Sequence, residues 1–211
     1  MNFVIYGVIV VLTSQLYVDG WGCQMSERGL DKKMKNKILK HHNELRQKVA
    51  NGQERGQPTA SNMKQLRWND ELAANAQRAA ERCIFQHTSD EGRKTTKYGV
   101  AGESMYAGTF SNPLKTAVDM WYEEVRDVNP SILDSYDYYP GAVIGHYIQL
   151  VWAETEAIGC GYAKSAADGE SYVFCHYAPH GLFPQQSVYK RGSPASACKK
   201  GQSSRYPGLC K

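Results

Sequence analysis

The sequence predicts an α+β fold in which helices cover a central antiparallel sheet and disulfide bonds tie the chain together. Apolar residues recur at helical spacing in the first half of the chain, whereas strand-forming runs bounded by turn residues lie in the second half. Six cysteines follow an apolar N-terminal stretch. A chain of 211 residues is long enough for one domain with a sizeable core and a small appendage.

The chain begins with an apolar stretch, Val4 to Leu12, that is too short to span a bilayer. We interpret residues 1–22 as a signal peptide whose cleavage site lies between Leu16 and Gly22. No later stretch is apolar enough for a membrane-spanning helix. We therefore expect a secreted, extracellular protein that is not transmembrane.

The first helix is predicted from about Asp31 to Ala50, because apolar residues recur there at helical spacing. These residues are Met34, Ile38, Leu45 and Val49, with His41 or His42 filling the intermediate turn. Residues 51–62 are rich in helix-breaking residues and predict a loop.

Two further helices follow in the sequence. The second begins with Asn69 or Asp70 as its N-cap, and the third opens at Pro113, since proline suits the first helical position. One face of the second helix is predicted to carry Leu72, Ala76, Ala79 or Ala80, and Cys83. The apolar face of the third is predicted to carry Leu114, Val118, Trp121 and Val125.

The last part of the domain predicts strands. Residues 158–163 and 171–177 have strand composition and are joined by an Ala-Ala-Asp-Gly turn region, so we expect an antiparallel hairpin. Residues 23–33 are interpreted as a polar lead-in. Residues 126–145, rich in Tyr, Asp, Pro and Gly, are interpreted as irregular.

The cysteines are Cys23, Cys83, Cys160, Cys175, Cys198 and Cys210. An even number in an exported chain favours three disulfides, for which fifteen pairings exist. Cys160 and Cys175 flank the predicted hairpin, and Cys198 and Cys210 would close a short loop near the end of the chain. Cys23 is then left for Cys83.

The formal net charge is +4, and the excess of basic residues lies at the end of the chain. Residues 190–211 contain no acidic residue but carry Lys190, Arg191, Lys199, Lys200, Arg205 and Lys211. This segment is either a solvated tail or an electrostatic guide toward acidic partners. No basic helix interleaved with aromatic residues is present, so we expect no nucleic-acid partner.

Two segments resemble the signature segments of one protein family. Residues 145–154 read Gly-His-Tyr-Ile-Gln-Leu-Val-Trp-Ala-Glu, and residues 172–181 read Tyr-Val-Phe-Cys-His-Tyr-Ala-Pro-His-Gly. Shorter matches lie in the right order at residues 38–46, 62–73, 102–104, 121–125 and 206–210. Together they resemble the CAP superfamily of cysteine-rich secretory proteins, and in particular the venom allergen 5 (antigen-five) proteins of arthropods.

The resemblance implies an α-β-α sandwich with a single CAP domain over residues 23–188. It leaves residues 189–211 as a short, basic C-terminal tail that contains cysteine. The three disulfide pairs suggested above also match the pattern of antigen-five allergens.

The resemblance further implies a cleft lined by two histidines and two glutamates, here His87, Glu103, Glu124 and His146. Departures from the family pattern lie beside this tetrad, where Ser104, Ile148 and Leu182 replace residues that are usually Asn, Thr and Asn.

Other titratable residues near these segments are expected to lie outside the cleft. His42 is interpreted as a satisfied residue on a helix face, and His176 and His180 as parts of a strand end and its loop. Glu123 should point away from the cleft, because adjacent helical residues diverge by about 100°.

The tetrad allows three kinds of chemistry. The histidine and glutamate side chains could simply pair and stabilise the cleft. Imidazoles of His87 and His146 could hold a divalent ion such as Zn²⁺. An open metal shell could in turn support hydrolysis. The segment around Ser104 lacks the glycine that a serine-hydrolase elbow requires two residues later. We expect structural pairing, no required cofactor and no enzymatic activity.

The resemblance implies a secreted venom or salivary protein that acts on a host membrane protein, most concretely as an inhibitor of voltage-gated calcium or potassium channels. The channel-blocking relatives carry an additional C-terminal cysteine-rich module, whereas this chain has only Cys198 and Cys210 there. One alternative is a protein that binds sterols, fatty acids or lipid mediators. The ligand would lie between helices or beside residues 136–147. Another is a metal-dependent protease or a protease inhibitor.

Overall fold

The computed structural model describes residues 17–18, 22–138 and 141–211. The predicted signal peptide lies outside these residues except for positions 17, 18 and 22. Positions 17 and 18 form a two-residue strand that pairs with residues 24–25. The domain limits at residues 22 and 188 stay predictions.

Five helices and eight strands are present in the described part of the chain. The helices are α1 (Lys32–Ala50), α2 (Asp70–Ala80), α3 (Asp90–Arg93), α4 (Pro113–Glu123) and α5 (Gly145–Val151). The strands are β1 (Tyr17–Val18), β2 (Gln24–Arg28), β3 (Arg67–Trp68), β4 (Lys94–Thr95), β5 (Gly99–Val100), β6 (Gly102–Gly108), β7 (Ala157–Ser165) and β8 (Ser171–Ala178). Single turns of 3₁₀ helix cover Glu124–Asp127 and Pro130–Leu133.

The main sheet has the order β1-β2-β7-β8-β6, with β3 added in parallel to β7. Neighbours along the order β1 to β6 are antiparallel, and β7 and β8 form the predicted hairpin. Strand β6 is therefore an edge strand, and it carries Glu103 of the candidate site described below.

The two faces of the sheet are covered by different helices. On one face, alanines of α2 pack against Ala163 and Phe174. On the other, residues of α1, α4 and α5 form the larger core with Cys175 and Tyr177. These layers confirm the α+β class and the α-β-α sandwich.

The starts of the first two predicted helices are confirmed by their caps. The Asp31 carboxylate accepts a hydrogen bond from the Met34 amide at 2.7 Å, and the Asn69 side chain accepts one from the Leu72 amide at 2.9 Å. The prediction that Cys83 lies on the second helix was wrong. Helix α2 ends at Ala80, and Cys83 lies beyond it with a φ of +50°.

Two other assignments required correction. Residues 24–28 of the expected polar lead-in form strand β2, in which Met25 is the only buried residue, so its pattern resembles a loop. Val125, expected on the third helix, lies in the 3₁₀ turn that follows α4.

All three predicted disulfides are present: Cys23–Cys83, Cys160–Cys175 and Cys198–Cys210. The second joins directly opposed residues of β7 and β8, whose Cα atoms are 4.1 Å apart. No helix of the described residues is long and apolar enough to cross a membrane.

Candidate functional site

The first histidine–glutamate group is centred on Glu103 of the edge strand β6. Its Oε1 lies 2.8 Å from Nδ1 of His87 and accepts the Thr88 amide at 2.9 Å. Its Oε2 lies 2.9 Å from Nε2 of His176 on the neighbouring strand β8. The carboxylate is completely buried, whereas 57% of the His87 side chain is exposed. Glu103 thus connects an internal histidine to one at the surface.

The electrostatics of this group favour an ionised glutamate. Burial alone would raise the pKa of Glu103, but hydrogen bonds from His176, His87 and Thr88 hold it well below its usual value. Burial lowers the pKa of His176 despite the carboxylate beside it. We therefore assign a neutral His176 imidazole that donates its Nε2 hydrogen to Glu103.

The second group joins helix α5 to the end of α4. Glu124 Oε1 lies 2.6 Å from Nδ1 of His146, and its Oε2 accepts the Tyr147 amide at 3.0 Å. The His146 ring stacks on Trp121, with centroids 5.9 Å apart. One carboxylate therefore binds both the side chain of the second residue of α5 and the next backbone amide.

Gln149, one turn after His146 on α5, lies against Gly102, the neighbour of Glu103 on β6. A Cβ atom on Gly102 would overlap the Gln149 carboxamide, so the glycine lets α5 approach the strand next to Glu103. The buried carboxamide donates to the Thr155 hydroxyl at 3.2 Å and accepts the Gly181 amide at 2.9 Å. Gln149 was not identified from the sequence, because it lies inside the signature segment without a distinguishing pattern.

His176 was missed as a member of the site. It was assigned to a strand end, yet it lies fully buried directly opposite Glu103. The pairing register of β6 and β8 would have identified it, but this register could not be used because β6 itself was not predicted. The expectation that His180 belongs to a loop agrees with its position after β8.

Of the four residues expected to lie outside the cleft, His42 and Glu123 have partners other than the tetrad. His42 is buried, with Nδ1 2.8 Å from the Ile38 carbonyl and Nε2 2.9 Å from the Tyr177 hydroxyl. Glu123 forms an ion pair with Arg126.

The family departures have different structural consequences. Ile148 and Ser104 are fully buried, so the first extends the apolar core of α5 and the second lies inside the sheet. Leu182 adopts a φ of +62° immediately after the Gly181 contact to Gln149.

The histidines of the tetrad have the donor chemistry of a metal site but not a complete shell. In each of His87 and His146 the Nδ1 atom is bound to a carboxylate, which is how metal-binding imidazoles are commonly oriented. This leaves Nε2 of both rings as the atoms that could face an ion. Among the described residues, however, no group of three or more His, Cys, Asp or Glu side chains is arranged to hold a metal.

The fold and these paired groups define a disulfide-bonded α-β-α sandwich with two carboxylate-anchored histidines at the edge of its sheet. The model of the CAP family, the cysteine-rich secretory protein family, matches residues 39–177. The chain belongs to the CAP family.

Similar proteins include venom proteins over the whole length of the chain. Scoloptoxin SSD976 of Scolopendra dehaani is 53% identical over 211 residues, which cover 100% of both chains. Venom allergen 5 of Dolichovespula arenaria is 42% identical over 173 residues, covering 77% of this chain and 83% of the allergen. The chain is thus a CAP protein related to venom toxins and venom allergens.

Solved structures share the fold. BmVAL-1 superimposes with a TM-score of 0.76 at 27% identity, covering 86% of this chain and 95% of that one. NaASP2, crystallised with Zn²⁺, gives a TM-score of 0.72 at 28% identity, covering 87% of this chain and 97% of the other.

Proposed function

We propose that this chain is a secreted venom component that binds a membrane protein of the host and acts without catalytic turnover. A voltage-gated calcium or potassium channel is the target class we put first. The names of the full-length relatives, scoloptoxin and venom allergen, support a role in venom. The structural observation that carries the proposal is a rigid, basic C-terminal lobe, defined here as residues 189–211.

Backbone hydrogen bonds attach the C-terminal lobe to the segment that follows α1. The Ser61 amide donates to the Lys190 carbonyl at 2.8 Å, and the Cys210 amide donates to the Met63 carbonyl at 2.8 Å. Tyr206 and Leu209 are buried in the main core. The lobe is therefore a packed part of the domain and not a free tail, so it can present its charges in a fixed arrangement.

Most of the basic side chains of the lobe are available to a partner. Arg191 is held by Asp134 at 2.7 Å. The others are exposed and form no ion pair within the described part of the chain; they are Lys190, Lys199, Lys200, Arg205 and Lys211. A fixed group of like charges attracts acidic surfaces and speeds association with them.

The test is whole-cell recording from neurons exposed to the purified mature protein. Lys199→Gln/Lys200→Gln removes two charges from the lobe, and Lys32→Gln/Lys33→Gln removes two exposed charges from the start of α1 as the matched control. Truncation is unsuitable, because it would also remove the buried Leu209 and the Cys198–Cys210 disulfide.

Block of current by the wild type and the control, with at least about tenfold weaker block by the lobe variant, is the expected result. A His87→Ala/His146→Ala variant should block as well as the wild type. If only this variant failed to block the current, the result would show that block depends on the histidine–glutamate groups. No block by the wild type would overturn the channel proposal.

Lipid binding is the second candidate, and a groove between α1 and α4 favours it. The groove has a volume of about 360 Å³ and is lined by Met34, Ile38 and Leu114, with Lys37 at its rim. Lys37 forms no ion pair among the described residues, so a fatty-acid carboxylate could bind it while the acyl chain contacts the apolar residues. Residues 136–147 offer less support, since Tyr136 and Tyr147 are buried in the core.

Native mass spectrometry after incubation with palmitate tests this candidate. Retention of one fatty acid by the wild type, and its loss in Leu114→Glu, would support the groove. Val143→Glu changes an exposed apolar residue that does not line the groove and is the matched control. Equal retention by all three proteins would exclude this groove as the lipid site.

Metal binding at the tetrad is proposed on the orientation of the two imidazoles. The Nε2 atoms of His87 and His146 would be the protein ligands. The hydrogen bonds between the Nδ1 atoms and the carboxylates of Glu103 and Glu124 would fix the orientation of the rings. A bound divalent ion would supply Lewis acidity. Calorimetry with ZnCl₂ should show one site in the wild type and none in His87→Ala/His146→Ala. Identical isotherms for the two proteins would contradict metal binding at the tetrad.

A further inference from the structure

A cavity of about 400 Å³ lies between α1, β3 and the C-terminal lobe, away from the histidine–glutamate groups. Its volume is within the range of small-molecule sites. Every charged side chain that lines it is basic: Lys40, Arg67, Arg205 and Lys211. The cavity is thus a candidate binding site of defined charge.

The walls of the cavity are fixed by hydrogen bonds between distant parts of the chain. Asn43 of α1 donates to the Leu66 carbonyl at 3.0 Å and accepts the Leu66 amide at 2.7 Å. The Ser203 hydroxyl donates to Gln65 Oε1 at 2.6 Å and accepts the Tyr206 amide at 3.0 Å. A ligand would find these walls already in place, which lowers the ordering cost of binding.

Three of the four basic side chains of the cavity form no ion pair among the described residues. Lys40 pairs with Glu44 at 2.8 Å, but within the described residues Arg67, Arg205 and Lys211 form no ion pair. Like charges around one cavity repel each other, and an anion between them would relieve that repulsion. The planar guanidinium of arginine donates two parallel N–H bonds to two oxygens of an oxyanion, so arginine suits sulfate and phosphate groups.

Apolar and aromatic side chains complete the lining. Leu39, Leu66, Trp68 and Tyr206 face the same cavity as the four cations. An inorganic anion would leave these surfaces unused, whereas a ring that carries the anionic group would contact them. We propose that this cavity binds a small extracellular anion that bears a sulfate or phosphate ester on a ring.

Calorimetry on the mature protein tests the proposal and identifies the source of the ester. One probe is a sulfated heparin disaccharide, compared with the unsulfated disaccharide. The other is AMP, compared with adenosine. Arg67→Gln/Arg205→Gln removes two charges from the cavity. Lys199→Gln/Lys200→Gln removes the same charge from the lobe without touching the cavity lining.

The expected result is binding of one esterified probe and not of its ester-free counterpart. The cavity variant should bind about tenfold more weakly, while the lobe variant stays within about threefold of the wild type. Leu39→Trp, which fills the cavity without changing its charge, should also abolish binding. Failure of both probes to bind, or equal weakening in the two double variants, would overturn the proposal. Because no channel or cell is present, this outcome is independent of the proposed venom function.

Discussion

Glu103 and His176 lie opposite each other on strands β6 and β8, with 2.9 Å between Oε2 of the carboxylate and Nε2 of the imidazole. Both side chains are fully buried. The same carboxylate binds the exposed His87 through its other oxygen. A buried charge is stable only when hydrogen bonds replace the water it has lost. This contact therefore adds a buried side-chain link between β6 and β8 to the backbone pairing of the two strands.

We expect Glu103→Gln to lower the free energy of unfolding by about 2–3 kcal/mol. The amide keeps the size of the side chain but replaces one charged acceptor with a donor, which faces the N–H of a histidine. Urea denaturation measures the change. Glu123→Gln is the matched control, because this exposed glutamate forms an ion pair with Arg126 at the surface and should change stability by less than about 1 kcal/mol. Equal effects of the two substitutions would contradict a structural role for Glu103.

The comparison of sequence and structure shows which features local pattern can predict. Helix α1 was predicted accurately because its apolar period and its Asp31 cap both lie within the helix or next to it. The hairpin β7–β8 was predicted because its strands are adjacent in the sequence. Its neighbour β6 was missed, since Gly102–Gly108 is rich in small and polar residues and becomes a strand only through pairing with β8, more than sixty residues later.

In the candidate site, too, some residues could be predicted from the sequence and others could not. The resemblance supplied the residue types of the tetrad, and the structure shows that they form two separate carboxylate–imidazole pairs. It could not supply His176 or Gln149, because their roles depend on contacts between elements far apart in the sequence. Helix α5 has only seven residues, which is too short for a helical period to be recognised.

Arg46 is the second buried charge for which we make a prediction. Its guanidinium, completely buried on α1, donates to backbone carbonyls of Lys64, Leu150, Trp152, Ala153 and Thr155. Burial lowers its pKa to about 9, so it remains charged at neutral pH. We expect Arg46→Lys to lower the free energy of unfolding by about 3 kcal/mol or more, because an ammonium has fewer donors and cannot reach this fork of carbonyls.

Thermal and urea denaturation of Arg46→Lys should be compared with those of Arg191→Lys. Arg191 donates to both carboxylate oxygens of Asp134 and to the Pro130 carbonyl, but Asp134 is exposed, so the change should stay below about 1 kcal/mol. A small effect at Arg46 would show that the carbonyl contacts contribute little net stability.

Close packing of α2 on β7 depends on two glycines. A Cβ atom at Gly159 or Gly161 would overlap backbone atoms of α2. We expect Gly161→Ala to destabilise the protein by about 1–3 kcal/mol, since the helix would have to move away from the sheet. At Gly145 a Cβ atom would meet only the Leu182 side chain at 3.6 Å, so Gly145→Ala should be close to neutral. Urea denaturation of both variants checks the difference, and equal stabilities would contradict it.

The pH dependence of stability follows from the buried histidines. Burial lowers the pKa of His42 from 6.5 to about 3, and it also lowers that of His176. In the folded protein His42 remains neutral at mildly acid pH, and His176 binds its proton at a lower pH than in the unfolded chain, where both bind protons below about pH 6.5. The unfolded state therefore binds more protons, and stability must fall as the pH decreases from 6.5 toward the folded pKa.

For His42 alone, this linkage lowers the free energy of unfolding by about 2 kcal/mol between pH 7 and pH 5. His42→Gln should remove that part of the pH dependence, measured by urea denaturation at a series of pH values. If the variant does not fold, NMR titration of the wild type gives the same information, because the His42 ring should stay neutral at pH 5. An imidazole that titrates near pH 6.5 would contradict the prediction. It would also show that burial and the contact with Tyr177 do not hold the ring neutral, since a protonated ring could no longer accept the Tyr177 hydroxyl.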